Sequence, residues 1–384
     1  MSVNWNPVWH QAISHRALFG VLQGKKNTVT WDVPAYVSGS VLRIRFSNIY
    51  GKKPYKVGNV SVAVGTAIYD VTLGGKKSFR IPTGGQIWSD EIPVTVSAGD
   101  TMNVRLYYKT NAEDSNMTEE FAAKYRGNHT KDRILPDYKM ADILASNGVY
   151  NEVPMIDQID LGSHQEDPAK VIAVFGDSIT SMNRWVKPLQ KRLYEEYKGE
   201  YVAVNCGILG NCLIYEVPGV IGKLMSLFGE MGVKRFQRDV LDIENLDTLF
   251  FCLGTNDTSY VYSKATRKLI TFENLTKAIT DCADKAHAQG ARVVFQTISP
   301  RYGYTNFPAG PYTEEMDTLR RRLNDWAKTA SCFDAVVDTA AVTEDPEKPG
   351  WYREDMHQGD HLHPSTKGGI MIADAMDLSA IVGK

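Results

Sequence analysis

The hydrophobic period of this chain changes at Pro168. Before it, apolar residues recur at every second position. Leu42, Ile44 and Phe46 alternate with Arg43, Arg45 and Ser47, and Val60, Val62 and Val64 with Ser61 and Ala63. Met102, Val104, Leu106 and Tyr108 alternate with Asn103, Arg105 and Tyr107. Successive side chains of a strand point to opposite faces, so this pattern predicts strands with one buried and one wet face. Gly74-Gly75, Gly84-Gly85 and Gly99-Asp100 punctuate the runs as turns, which predicts an antiparallel β-sandwich. Residues 111–152 are polar without a period and read as long loops, and Met155, Ile156, Ile159 and Leu161 as one last strand.

Beyond Pro168, apolar runs at 171–175, 201–205, 248–253, 292–298 and 334–338 alternate with helical stripes. Phe272, Leu275, Ile279, Cys282 and Ala286 lie on one such stripe with Gly290 as its stop, and Val186, Leu189, Leu193 and Tyr197 on another. Alternating strand and helix predicts a parallel sheet covered by helices on both faces. A chain of 384 residues exceeds the size of about 250–300 residues at which one core stops growing. Two domains are therefore expected, 1–165 and 166–384, joined through the polar stretch Ser163 to Pro168.

Two short segments carry chemistry. Gly176-Asp177-Ser178-Ile179-Thr180 follows the first apolar run, which places Ser178 where a strand turns into a helix, with its hydroxyl exposed and its backbone N–H free. Asp360-His361-Leu362-His363-Pro364 supplies a carboxylate three residues ahead of an imidazole. In a turn, that spacing lets Asp360 accept a hydrogen bond from one ring nitrogen of His363 and leaves the other facing outward as a base. Nucleophile, base and orienting acid are the parts that acyl transfer needs. In α/β sheets reactive loops gather at the carboxyl ends of strands, and Ser178, Gly210 and Asn256 each follow a strand directly.

These residues resemble the SGNH (GDSL-type) hydrolase family. Asn205-Cys206-Gly207-Ile208-Leu209-Gly210-Asn211 looks like the family block that carries an oxyanion-hole glycine, and Gly254-Thr255-Asn256-Asp257 looks like its G-x-N-D block. The four blocks stand in family order between residue 171 and about residue 375. The resemblance implies a flavodoxin-like α/β domain with a five-stranded parallel sheet. It also implies a Ser178–His363–Asp360 triad working through an acyl-enzyme, an oxyanion hole made by the Ser178 and Gly210 N–H groups and the Asn256 amide, and no metal or other cofactor. The N-terminal half is similar to the jelly-roll-like β-sandwich preceding the catalytic domain in one branch of bacterial GDSL-type esterases. The similarity lies in Arg43-Ile44-Arg45-Phe46-Ser47-Asn48 with Gly51, in Ile81-Pro82 and in Trp88-Ser89-Asp90. That branch implies small acyl esters as substrates, O-acetyl groups on carbohydrate first. The rivals are a lysophospholipase or short-chain lipase and, outside catalysis, a carbohydrate-binding protein with an inert hydrolase domain.

Each residue also has a plainer reading. Ser178 is a favoured helix cap, Asp177 reads as a capping residue rather than a catalytic acid, Asn256 as a turn residue and Gly210 as a site of positive φ. His357 and His361 compete with His363 for the base. Both are expected at the surface or one layer behind the reacting groups. With Asp360 and His363 they also form a metal-like cluster, although companion ligands elsewhere are not evident. The apolar segment Leu213 to Met231 reads as a helix packed on the sheet or against a second subunit, or else as an acyl-pocket wall or a lid. Trp5, Trp9, Trp31 and Trp88 belong either in a sandwich core or on a sugar-binding surface. Cys206, Cys212, Cys252, Cys282 and Cys332 read as buried reduced thiols.

A net charge of −2 gives no electrostatic reason to expect nucleic acid or an anionic membrane. The start Met1-Ser2-Val3-Asn4-Trp5 shows no leader pattern, which predicts a cytoplasmic protein, though a secreted chain shorn of its leader reads the same way. Oligomeric state stays open.

Overall fold

The computed structural model describes residues 3–15, 26–109, 114–117, 125–127, 152–164, 167–217, 228–261, 263–306 and 309–384. They group into two compact units. The first holds the described residues up to Ala169 with the segment Tyr194–Val204; the second is Lys170–Leu193 together with the other described residues from Asn205 onward. No helix among the described residues is long and apolar enough to cross a membrane.

Among the described residues the N-terminal half is β-strand and turn, with no helix. One sheet runs Asn4–His10, Ile156–Ser163, Gly39–Ser47, Gln86–Trp88, with Ile92–Val96 also paired to Gly39–Ser47. The other runs Tyr125–Gly127, Lys26–Pro34, Thr101–Lys109, Tyr55–Val64, Ala67–Val71, with Phe79–Ile81 paired to Tyr55–Val64. The pairings are antiparallel, as the alternating pattern predicts. Val104 stands opposite Trp31 and Val62, and Leu106 opposite Val29 and Val60. Such cross-strand apolar neighbours are the unit of sheet stabilisation. The two sheets close on one another through aromatic pairs, Trp9 with Trp31 at 5.8 Å and Phe46 with Phe79 at 4.9 Å.

The tryptophans divide accordingly. Trp9 and Trp31 are core residues. Trp5 and Trp88 instead flank the Arg43 guanidinium at 4.2 and 3.9 Å, and Arg43 is bonded to the Asp160 carboxylate at 2.8 Å. A guanidinium paired with a carboxylate and held between two indoles is a structural brace.

Of the stretch 111–152, read as long loops, residues 111–113, 118–124 and 128–151 lie outside the described residues, and the described pieces are strands. Asp114–Met117 pairs with Glu152–Pro154 and with Ser14–His15, and Tyr125–Gly127 joins the second sheet beside Lys26–Pro34. Strands of three or four residues are held by distant partners, so they leave no period of their own to read.

A five-stranded parallel sheet organises the C-terminal half, in the order Tyr201–Asn205, Lys170–Gly176, Leu246–Cys252, Arg292–Gln296, Ala335–Val337. Its central strands are apolar on both faces: Val171 to Phe175, Leu249 to Phe251 and Val293 to Phe295 are fully buried, because helices cover both sides. In helix Phe272–His287, Leu275, Ile279, Cys282 and Ala286 are buried and Thr271 caps the first turn. The helix ends at His287, before Gly290, which takes φ +81° in the exit turn. All five cysteines are free; Cys206, Cys212 and Cys282 are buried, and Cys252 and Cys332 half-buried. Of the segment Leu213 to Met231, residues 218–227 lie outside the described residues.

Candidate active site

Strand Lys170–Gly176 ends in a close approach that only glycine permits, since a Cβ on Gly176 would lie 2.1 Å from the Thr180 hydroxyl oxygen. The chain then turns into the short helix Ser178–Ser181. Asp177, not Ser178, is its cap, with a carboxylate oxygen accepting from the Ile179 N–H at 3.0 Å. Burial pushes the Asp177 carboxyl up to about 6, against the opposing pull of that N–H. The cap frees Ser178 for another partner: its Oγ lies 2.8 Å from Nε2 of His363.

His363 is held from behind. Its Nδ1 lies 2.6 Å from Oδ2 of Asp360, and the other Asp360 oxygen accepts the backbone N–H of Leu362 at 3.1 Å and of His363 at 2.9 Å. Gln358 donates its side-chain amide to Asp360 at 3.1 Å, and its backbone N–H to the His363 carbonyl at 3.0 Å. Burial pushes the Asp360 carboxyl upward, but the hydrogen bond and charge of His363 with these donors outweigh it and hold the group well below the usual carboxylate range. Beside an ionised Asp360, the ring proton belongs on Nδ1, and Nε2 presents its lone pair to the Ser178 hydroxyl. An imidazole so placed can take a hydroxyl proton and return it to a leaving group.

The segments that carry Gly210 and Asn256 are linked through Asn211, the residue after Gly210. Gly210 has φ +66°, and a Cβ there would lie 2.5 Å from the Phe228 ring, so both backbone and space demand glycine. Asn256, in helix Thr255–Ser259, donates its side-chain amide to the Asn211 carbonyl at 3.0 Å. The Ile208 N–H donates to the Gly176 carbonyl at 3.2 Å, which sets this loop beside the turn that carries Ser178.

Further polar residues support the site. Asp257 accepts the N–H groups of Leu213 at 2.7 Å and Ile214 at 3.0 Å, and burial pushes its carboxyl up to about 6. The Tyr304 ring stands edge-on to His363 at 6.4 Å. Arg235 is wholly buried behind the loops. Its sequence surroundings, with Lys234, Arg238 and Asp239 close by, have the look of a solvated helix face and carry no sign of this burial.

His357 and His361 stand one layer behind. His357 is buried, stacks near His361 at 4.5 Å, and faces Glu354 through Nε2 at 3.3 Å. Among the described residues, Glu354, His357 and His361 bring three possible metal ligands within 4.8 Å of one another, while Asp360 and His363 are engaged with each other and Ser178. The hydrogen bonds oppose a metal. The Nδ1 of His357 accepts the Gly359 N–H at 2.9 Å and the His361 N–H at 3.3 Å, so its proton sits on Nε2, the atom a metal would need bare. Turnover of an ester is accordingly expected to survive prolonged dialysis against a chelator. Loss of activity that zinc restores would identify this cluster as a working metal centre.

The profile of the GDSL-like lipase/acylhydrolase family matches residues 174–369, just over half of the 384-residue chain. Solved structures similar to this chain include a GDSL-like lipase from Bacteroides thetaiotaomicron, 16% identical, covering 55% of this chain and 87% of that one with a TM-score of 0.39. An acetyl xylan esterase from Geobacillus stearothermophilus is 19% identical over 56% of this chain and 94% of that one, with a TM-score of 0.40. A carbohydrate acetylesterase family member from Sinorhizobium meliloti is 16% identical over 56% of this chain and 100% of that one, also with a TM-score of 0.40. No curated protein matches the chain.

Proposed function

This chain belongs to the GDSL-like lipase/acylhydrolase family and is a carboxylic ester hydrolase, and from that premise we propose that it works as a serine esterase through Ser178, His363 and Asp360. The observation that carries the reading is the unbroken chain of contacts, 2.8 Å from Ser178 Oγ to His363 Nε2 and 2.6 Å from His363 Nδ1 to Asp360. In the first step Ser178 Oγ bonds to the ester carbonyl carbon while His363 takes the hydroxyl proton. The carbonyl oxygen becomes an oxyanion, received by the N–H groups of Ser178 and Gly210 and the amide of Asn256. His363 then gives its proton to the departing alkoxide, leaving an acyl-serine. A water then attacks the acyl carbon, losing a proton to His363, which passes it to Ser178 Oγ as that oxygen departs and the acid is released. Asp360 keeps the ring in one tautomer and stabilises the imidazolium without taking its proton.

For substrate, the reading is a small acyl ester, with O-acetyl groups on carbohydrate first. It is supported by the similarity of the sandwich phrases Arg43 to Asn48 and Trp88 to Asp90 to those of the esterase branch described above. The catalytic domain is taken as residues 166–384 and the accessory domain as 1–165. A p-nitrophenyl ester series run beside acetylated oligosaccharides tests the reading. We expect kcat/KM to fall by about tenfold or more between acetate and octanoate, and free acetate to be released from the oligosaccharides. A rise with chain length would favour the lipase alternative, and no turnover of any ester the inert binding protein.

A further inference from the structure

We propose that Arg235 is a positioning residue that sets the oxyanion-binding loops against one another. The inference rests on the assignment of Ser178, Gly210 and Asn256 as oxyanion donors. Arg235 lies in the short helix Gly232–Phe236, with its side chain 0% exposed and its guanidinium 4.4 Å from the Phe175 ring. Each of its bonds is directed. The Nη2 donates to the Gly176 carbonyl at 2.9 Å, the Nη1 to the Cys206 carbonyl at 2.8 Å, and the Nε to the Asn211 side-chain oxygen at 2.9 Å. Its charge is met by Asp239 at 3.0 Å.

What matters is where those acceptors sit. Gly176 is two residues ahead of Ser178, and Asn211 follows Gly210 directly. The Asn211 carbonyl in turn accepts the Asn256 amide at 3.0 Å. One planar group therefore reaches two of the three loops by its own bonds and the third through Asn211. A guanidinium is a rigid fork with fixed donor directions, whereas the single nitrogen of a lysine cannot hold three acceptors at those angles. Burying such a cation costs several kcal/mol unless it is fully bonded, and a well-packed apolar side chain often serves stability as well. Oxyanion donors act only when they are fixed before the charge develops, and a displacement of about 1 Å loses roughly 100-fold in rate.

Asp239 provides the control, because it completes the same buried ion pair without bonding to any of these loops. Its other partner is Arg238, at 2.7 Å.

The test uses the full chain and p-nitrophenyl acetate, with kcat, KM and the thermal midpoint measured for Arg235→Lys, Asn211→Ala, Asp239→Asn and Asn256→Ala. We expect Arg235→Lys to lower kcat by about 10- to 100-fold with KM within about twofold. Asp239→Asn should lower the midpoint at least as far while keeping kcat within about threefold. The Arg235→Lys/Asn256→Ala double variant should lose less than the product of the single losses, since both act on one set of donors. Should Arg235→Lys fail to fold, Asn211→Ala carries the same expectation, because it removes the side-chain acceptor that Arg235 holds directly beside Gly210. Unchanged kcat in whichever of these two folds, an equal kcat loss in Asp239→Asn, or multiplicative losses in the double variant would overturn the proposal and leave the oxyanion assignment standing. Full activity in Asn256→Ala would instead remove that assignment, and the role of Arg235 with it.

Discussion

Ser178→Ala is expected to lower kcat for any ester by about 10⁴-fold or more, with the protein still folded. The substitution deletes one hydroxyl that bonds to His363 and leaves the backbone N–H of residue 178 in place. It costs about 1 kcal/mol of stability, the net worth of one hydrogen bond. The Asp177 cap on the Ile179 N–H is untouched, so the turn keeps its shape. Residual activity would then come from the oxyanion donors alone. Single-turnover kinetics and stoichiometric labelling by a serine-directed phosphonate give the measurement. Labelling at another serine, or turnover within tenfold of wild type in a folded variant, removes Ser178 from the reaction.

The second large effect separates three residues that stand within four positions of one another. His363→Ala should be nearly as damaging as the loss of Ser178, since both remove the same proton transfer. His361→Ala should keep kcat within about tenfold, because its ring packs against His357 and Trp351 and has no bond to Ser178. Asp360→Asn should fall near His363→Ala. The amide still accepts the Leu362 and His363 N–H groups through its oxygen, but turns a donor toward Nδ1 and forces the ring into the wrong tautomer. In the wild type, the acid limb of kcat/KM against pH is expected to have a slope of one. Asp360 adds no second proton there, because the bond and charge of His363 outweigh its burial and keep it ionised far into acid. A limb of slope two would bring in a further group, and Asp177, pushed up to about 6 by burial, is the one next to Ser178. A reversed order of the two histidine variants would move the base to His361.

The sequence by itself determined the parts of this protein that depend on neighbours in the chain. Period-two alternation placed Leu42 to Phe46 and Met102 to Tyr108 in strands, and the five apolar runs after Pro168 fall within two residues of the strands observed. Asp360 and His363 are three apart, so one turn suffices to join them, and that pairing was legible before any fold was known. What the tertiary structure alone decided is which distant groups meet. Ser178 and His363 are 185 positions apart, and only the return of the chain after the fifth strand brings His363 to the turn at the end of Lys170–Gly176. The short strands 114–117 and 125–127 exist through partners far along the chain. Arg235 reads as a solvated cation on a charged helix, yet it lies buried with a carbonyl 59 positions away. Local pattern records which face of an element is apolar. It carries no record of a buried polar group's partners, because those bonds are satisfied by backbone carbonyls that every residue type supplies alike.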